Sequence, residues 1–287
     1  MNYCLMTDSD SDLHFSYAKE HNIPVVRMPY TLDGVEYFDD NGATGQEKVL
    51  FERMRQGSVP STSLLSKEAY LEYFGPILKE RDLLFIAFSS QMSATIENVY
   101  AAREELLKTY PNRQFEVVDT LAISGPMAIY FEQICERYEQ GMGLRELAKW
   151  ARDNRMRTQA WFTVDNLVYL KRGGRISSTS AAFGTLLDVK PILCLSRFGK
   201  IEAFGKVKGR KKAIRTLVEK VQENRDDWTK EVLVLHADDE ERGNLLAKTI
   251  EEQLSIKTRI QMVGPVIGAH CGPGTLAVCF LGKERPV

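Results

Sequence analysis

The 287-residue chain is short of histidine, of paired cysteines, of net charge and of long apolar runs, and each shortage excludes a class of protein. Its five cysteines (Cys4, Cys135, Cys194, Cys271, Cys279) are odd in number and form no CxxC pair. They mostly sit in apolar runs, where free thiols behave as small hydrophobes. The four histidines are nowhere spaced as a metal pair, so no metal is expected. With 38 basic against 39 acidic residues the formal net charge is -1, which gives no overall case for nucleic acid or an anionic membrane. No stretch approaches the roughly 18 to 20 apolar residues of a membrane span, so no stable membrane insertion is expected. The opening Met1-Asn2-Tyr3-Cys4-Leu5-Met6-Thr7-Asp8 turns acidic too soon for a signal peptide, and a cytoplasmic location is expected. There is no GxSxG elbow, no GxGxxG fingerprint and no internal repeat, and Gly199 to Lys206 lacks the spacing of a Walker A loop.

What is present is an ordinary globular composition, 44% hydrophobic and 27% charged, in a chain long enough for two cores. Short apolar runs alternate with segments of helical period, which predicts an α/β class with parallel strands joined by helices. Strands are predicted at Tyr3 to Met6, Ile23 to Met28, Leu83 to Phe88 and Phe115 to Val118. In the second half they are predicted at Ala160 to Val164, Ile192 to Leu195, Ala203 to Val207, Val232 to His236, Arg259 to Val263 and Leu276 to Leu281. Helices are predicted around Ile96 to Leu107, at Gly125 to Gln140, Leu144 to Arg155 and Lys211 to Asn224, and at Glu240 to Gln253 behind an Asp238-x-x-Glu241 capping box. The polar Arg152-Asp153-Asn154-Arg155 marks a surface crossing, dividing an N-terminal α/β domain, 1–157, from a C-terminal one, 158–287.

Four constellations could carry chemistry. Thr7-Asp8-Ser9-Asp10-Ser11-Asp12 follows a strand, where an Asp-x-Asp can hold Mg²⁺. With Ser89-Ser90 and Asp238-Asp239 it loosely matches the part order of haloacid-dehalogenase-type phosphatases, although capping and Asx turns account for the same residues. The hydroxyl clusters Ser61-Thr62-Ser63 and Ser89-Ser90-x-x-Ser93, the second leading into a helix N-terminus, suit a carboxylate or phosphate, or simple capping. Gly264 to Gly274 reads as a defined glycine- and proline-rich loop in which His270 could donate to an acid. Lys171-Arg172-Gly173-Gly174-Arg175-Ile176-Ser177, with the later Lys206, Lys208, Arg210, Lys211, Lys212 and Arg215, forms a basic face for an anionic ligand or acidic partner, or a solvated helix start. The later run lacks interleaved aromatics, which argues against nucleic acid.

Six of these segments occur in one order along the chain: Thr7-Asp8-Ser9-x-Ser11-Asp12-Leu13, Ser61-Thr62-Ser63, Ser89-Ser90-x-x-Ser93, Val118-Asp119-Thr120, Leu170-Lys171-Arg172-Gly173-Gly174-Arg175-Ile176 and Gly264-Pro265-Val266-Ile267-Gly268-Ala269-His270. Together they resemble the DegV family. That resemblance implies a non-catalytic, bacterial lipid-binding subunit of the FakB kind. Such a subunit holds a fatty acid such as palmitate, stearate or oleate while a separate ATP-dependent fatty acid kinase makes the acyl phosphate for phospholipid synthesis, with no cofactor of its own. It implies an acyl tunnel between the two domains. The carboxylate would be met by Thr62, Ser93 and His270 with Arg175 nearby, and Ser63, Ala94 and Gly268 would lie in the ligand vicinity. It also implies kinase docking through Lys206, Lys208, Arg210 and Lys211. A regulatory lipid sensor would share every one of these features. Leu64-Leu65, Ala94 and Lys208 depart from the family's frequent Gln-Pro, Gly and Arg, which bears on tunnel shape and partner geometry.

Overall fold

A computed structural model describes residues 2–176 and 188–285. The first part begins with β1 (Tyr3–Asp8), α1 (Phe15–Glu20), β2 (Val25–Val26), β3 (Pro29–Leu32) and β4 (Val35–Phe38). It continues through α2 (Gln46–Arg55), β5 (Ser61–Thr62), α3 (Lys67–Glu80), β6 (Asp82–Ala87) and α4 (Thr95–Thr109), then β7 (Phe115–Asp119), α5 (Ser124–Glu139) and α6 (Leu144–Asn154). The second part holds β8 (Thr158–Thr163), α7 (Val168–Arg172), β9 (Val189–Leu195), β10 (Ile201–Lys208) and α8 (Arg210–Asn224). It ends with β11 (Glu231–His236), α9 (Glu240–Leu254), β12 (Lys257–Met262), α10 (Pro265–Cys271) and β13 (Leu276–Leu281).

The predicted mixed α/β class holds, but only the first sheet is parallel throughout. Its order is β2-β1-β6-β7, with helices supplying the crossovers. The second sheet, β10-β9-β8-β13-β11-β12, pairs antiparallel everywhere except between β11 and β12. Length and hydrophobicity of a run do not encode its direction. The β9–β10 connection is a tight hairpin, turned at Gly199 with φ +73°, so the chain reverses without a helix. A small third sheet, β4-β3-β5, was not foreseen: its strands are two to four residues long, and the predicted strand at Ile23 to Met28 shrinks to the two residues of β2.

The four inner strands of the six-stranded sheet are buried on both faces, which their alternation records. Leu233 and Leu235 of β11 join the core shared with the first half, while Val232 and Val234 join a second core under α8 and α9. Against the first face lies α5. A Cβ on Gly125 would stand 2.8 Å from Leu235 Cδ1 and 2.9 Å from Cys279 Sγ, so only glycine lets that helix start so close to the sheet. All five cysteines are buried and free, as predicted. The predicted surface crossing at Arg152 to Arg155 is the end of α6, where Arg152 pairs with Glu116 at 2.5 Å and Arg155 donates to the Asp119 carbonyl. The helix cap expected at Asp238 falls one residue later: Asp239 accepts from the Arg242 N–H, and Asp238 has φ +52°. No helix among the described residues is long and apolar enough to cross a membrane.

Candidate functional site

Where the loops after β1 and β6 face the six-stranded sheet, an apolar cavity of about 330 Å³ opens. Most of its wall comes from side chains already committed to the shared core: Phe162 of β8, Leu195 of β9, Leu235 of β11, Ala277 and Cys279 of β13, and Pro126 of α5. Its polar lining is confined to a few groups: Thr62, Ser63, Ser93, Arg175, His270 and Asp10, with Ser124 and Thr275 deeper in the strand-and-helix wall.

Two of the polar groups are tied to each other, and Ser93 and Arg175 are fixed by the backbone. Thr62 Oγ1 lies 2.9 Å from His270 Nε2, joining residues 208 apart in sequence. β5 sets Thr62 through its pairing with Tyr30 of β3, and the seven-residue helix α10 sets His270. Pro265 at the first helical position, with φ fixed for helix, and Gly272 at φ +77° bracket α10, so the stretch predicted as a loop is helical. Gly173 follows α7 and packs on His270 so closely that a Cβ would meet Nδ1 at 2.2 Å. Arg175 donates from Nε to the carbonyl of Met92, the residue before Ser93, at 3.2 Å and from Nη1 to the Gly173 carbonyl. Ser93 Oγ accepts from the Thr95 N–H at 3.3 Å at the start of α4.

Burial, and then the neighbouring Arg175, push the His270 pKa down to about 4, so the imidazole is neutral at pH 7. Burial also lowers Arg175, while Asp10 opposes that shift. Asp10 is pushed well above the usual carboxylate range, first by burial and then by Asp8, Asp39 and Asp12, against the pull of Arg175. Asp8 rises to about 7 through burial, countered by the Phe88 N–H that its Oδ2 accepts. Asp12 likewise rises to about 7, although Ser124 and the Gly264 N–H donate to it.

The remaining sequence-predicted residues divide. Ser63 lines the cavity, whereas Ala94 is an exposed residue capping α4, and Gly268 turns toward Phe51 of α2, whose Cζ would lie 2.7 Å from a Cβ there. Ser89 is fully buried and donates to the Gly199 carbonyl at 2.9 Å, a structural tie to the β9–β10 hairpin. Lys206 and Lys208 project from the edge strand β10, and Arg210 and Lys211 open α8; all four are exposed, with Arg210 3.0 Å from Asp165. Ser177 lies outside the described residues. The phosphatase-like arrangement, which would bring Asp238 to Asp8 and Asp10, is not supported. Asp238 pairs with Arg55 at the surface, and among the described residues the metal-spaced group of His, Cys, Asp and Glu side chains is His21, Cys135 and Glu139, none of which lines the cavity. Sequence reasoning missed the apolar wall, which is built from ordinary core positions, and Asp10 as a cavity residue, although its place just after a strand was a signal.

The chain matches the model of the family described as uncharacterised protein, DegV family, over residues 3–283. A DegV domain-containing protein of Clostridium perfringens is 36% identical over 99% of this chain and 98% of its own. A fatty-acid-binding DegV family protein of Thermus thermophilus superposes with a TM-score of 0.85 at 29% identity, covering 98% of this chain and 100% of that one. A stearic-acid-binding protein of Eubacterium ventriosum gives 0.87 at 25% identity, covering 98% of both chains. With a family match along nearly its whole length and a full-length relative above 30% identity, the chain belongs to the DegV family.

Proposed function

We propose that this protein binds one long-chain fatty acid, with its alkyl tail in the apolar cavity and its carboxylate on Thr62, Ser93, His270 and Arg175. The observation that carries the reading is an apolar cavity whose few polar groups include the hydrogen-bonded Thr62–His270 pair and the backbone-anchored Arg175. Burying an alkyl chain contributes about 0.8 kcal/mol per methylene, so ten methylenes contribute about 8 kcal/mol, and the head group needs only to be satisfied. The hydroxyls and guanidinium supply the donors; a neutral His270 either donates or accepts through Thr62. Fatty acids bound by the Thermus and Eubacterium relatives support the ligand class.

Beyond binding, the reading makes the protein a non-catalytic, cytoplasmic carrier that presents the carboxylate to a separate ATP-dependent fatty acid kinase, without a cofactor of its own. The chain is read as two units, 1–157 and 158–287, meeting along the cavity. The exposed Lys206, Lys208, Arg210 and Lys211 support a docking face for an acidic partner, since a cluster of one sign steers association. The test is solvent extraction of protein purified natively from a bacterial host, followed by mass spectrometry. About one fatty acid per chain is expected; a protein that emerges empty and takes up no added fatty acid would overturn the reading.

A further inference from the structure

Asp10 is the acidic side chain of the cavity lining among the described residues. It sits in the 3₁₀ turn Ser9–Ser11 directly after β1, 3% exposed, and its Oδ1 has no hydrogen-bond partner. Of the other acids around it, Asp12 is bonded to Ser124 and Gly264, and Asp8 and Asp39 each have one oxygen bonded, to the Phe88 and Asn41 N–H, and one without a partner; none of the three lines the cavity. Tyr70, whose ring also faces this turn, is bonded to Thr95 at 2.9 Å. Among the described residues the cavity lining offers one cation, Arg175, because burial keeps His270 neutral.

A fatty acid bound here brings a second carboxyl group into the same low-dielectric space. Two carboxylates and one guanidinium would leave an uncompensated buried negative charge, which proteins avoid by retaining a proton. We propose that Asp10 holds that proton and donates it as a hydrogen bond to the fatty-acid carboxylate, making the head-group site an acid–carboxylate pair beside Arg175. The inference rests on the fatty-acid reading of the cavity. The two sides of the pair are not equivalent. Arg175 attracts both, but Asp10 is packed among Asp8, Asp12 and Asp39, which disfavour a further negative charge there, whereas the ligand also faces the hydroxyl donors of Thr62 and Ser93. The negative charge therefore resides on the ligand.

This arrangement selects ligands with an ionised acid head over esters, whose neutral carbonyl accepts a weaker hydrogen bond from Asp10 and leaves the Arg175 charge uncompensated. It also keeps the bound acid as a carboxylate, the form whose oxygen can attack a phosphoryl donor, with no proton to be removed first.

Isotope-edited infrared spectroscopy on protein loaded with palmitate or with palmitate ¹³C-labelled at the carboxyl carbon tests the assignment. Expected is a loaded-minus-empty carboxylic-acid carbonyl band that ignores the ligand label and is lost in Asp10→Asn, together with carboxylate bands that shift with the label. An acid carbonyl band that moves with the label would place the proton on the ligand, and an unchanged band in Asp10→Asn would place it on another residue; either overturns the proposal. Affinity gives a second readout, because Asn keeps a donor: Asp10→Asn is expected to bind palmitate within about threefold of the parent and Asp10→Ala about tenfold more weakly. Tightening by more than about tenfold in Asp10→Asn would mean that an ionised Asp10 opposes the ligand, and would also overturn it. Absence of any label-sensitive band in parent and variants alike would overturn the fatty-acid reading itself.

Discussion

The imidazole of His270 rests on the bare backbone of Gly173, so close that a Cβ there would stand 2.2 Å from Nδ1. Gly173 has an ordinary helical φ of -71°, so its glycine is required by the neighbour and not by the backbone. His270 is in turn held by Thr62 at 2.9 Å. Gly173→Ala is therefore expected to displace His270 and weaken fatty-acid binding by about tenfold or more, because a single misplaced hydrogen bond to a charged group costs about 1.5 to 3 kcal/mol. Fluorescent fatty-acid displacement measures this; parent-like affinity would show that the imidazole has room to move.

Ser93→Ala and His270→Ala test the head-group contacts directly. Each is expected to raise the fatty-acid Kd about tenfold while leaving the melting temperature within a few degrees, since both residues are only half-buried and face the cavity. Unchanged binding and unchanged acyl-phosphate formation in both variants would remove these residues from the site.

Most of the second half was legible as elements because each run is bounded by turn residues and hydrophobic enough to stand out: β13 occupies Leu276–Leu281 as predicted, and α9 exceeds its predicted end by one residue. Their mutual directions were not, since β8 and β13 pair through residues more than a hundred apart, which local pattern does not specify. Helix α10 shows a different kind of miss. Its glycines read as loop, yet Pro265 at the first position and Gly272 beyond the end are the two residues that commonly bracket a helix. Thr62, Ser93, Arg175 and His270 were found through family resemblance. Ala277 and Leu235 of the cavity wall differ from other core residues only in facing empty space, which composition does not register.

Arg285 is 4% exposed and donates to the carbonyls of Arg155 at 3.0 Å, Ser196 at 3.1 Å and Thr120 at 3.3 Å, and also to Leu121. Burial lowers its pKa to about 10, which leaves it charged at neutral pH. One guanidinium thus satisfies carbonyls from the loop after β7, the end of α6 and the β9–β10 hairpin. Arg285→Ala is expected to destabilise the protein by about 3 kcal/mol through several unsatisfied carbonyls, and urea denaturation at pH 7 measures it. A loss below about 1 kcal/mol would mean that water replaces the side chain.

Asp12 makes stability depend on pH in a direction opposite to an ion-paired acid. Its folded pKa, raised by burial to about 7, lies above the unfolded value of 3.8, so the folded state binds the extra proton between those limits. Stability from this group is therefore fully present below about pH 4 and declines as pH rises toward 7. Asp12→Asn removes the titration and replaces one of the two oxygens that contact Ser124 and the Gly264 N–H by an amide nitrogen. The stability of the variant relative to the parent is expected to improve from about pH 4 to pH 7 and to level off above that, as read by thermal unfolding at matched ionic strength. A constant difference across that range would show that Asp12 is already ionised when folded.

The basic face is separable from the cavity. Lys206 and Lys208 alternate outward on β10, the edge of the six-stranded sheet, and neither lines the cavity. Lys206→Glu with Lys208→Glu is expected to leave fatty-acid affinity unchanged while lowering acyl-phosphate formation by a partner kinase about ten- to a hundredfold at low salt, because reversing two charges turns steering into repulsion. Raising the salt concentration should narrow the gap between parent and variant, since screening at about 0.15 M ionic strength acts over about 8 Å. Equal kinase rates for the two proteins at low salt would move the docking surface away from this edge, and the exposed first turn of α8, with Arg210 and Lys211, would be reversed next on the same assay.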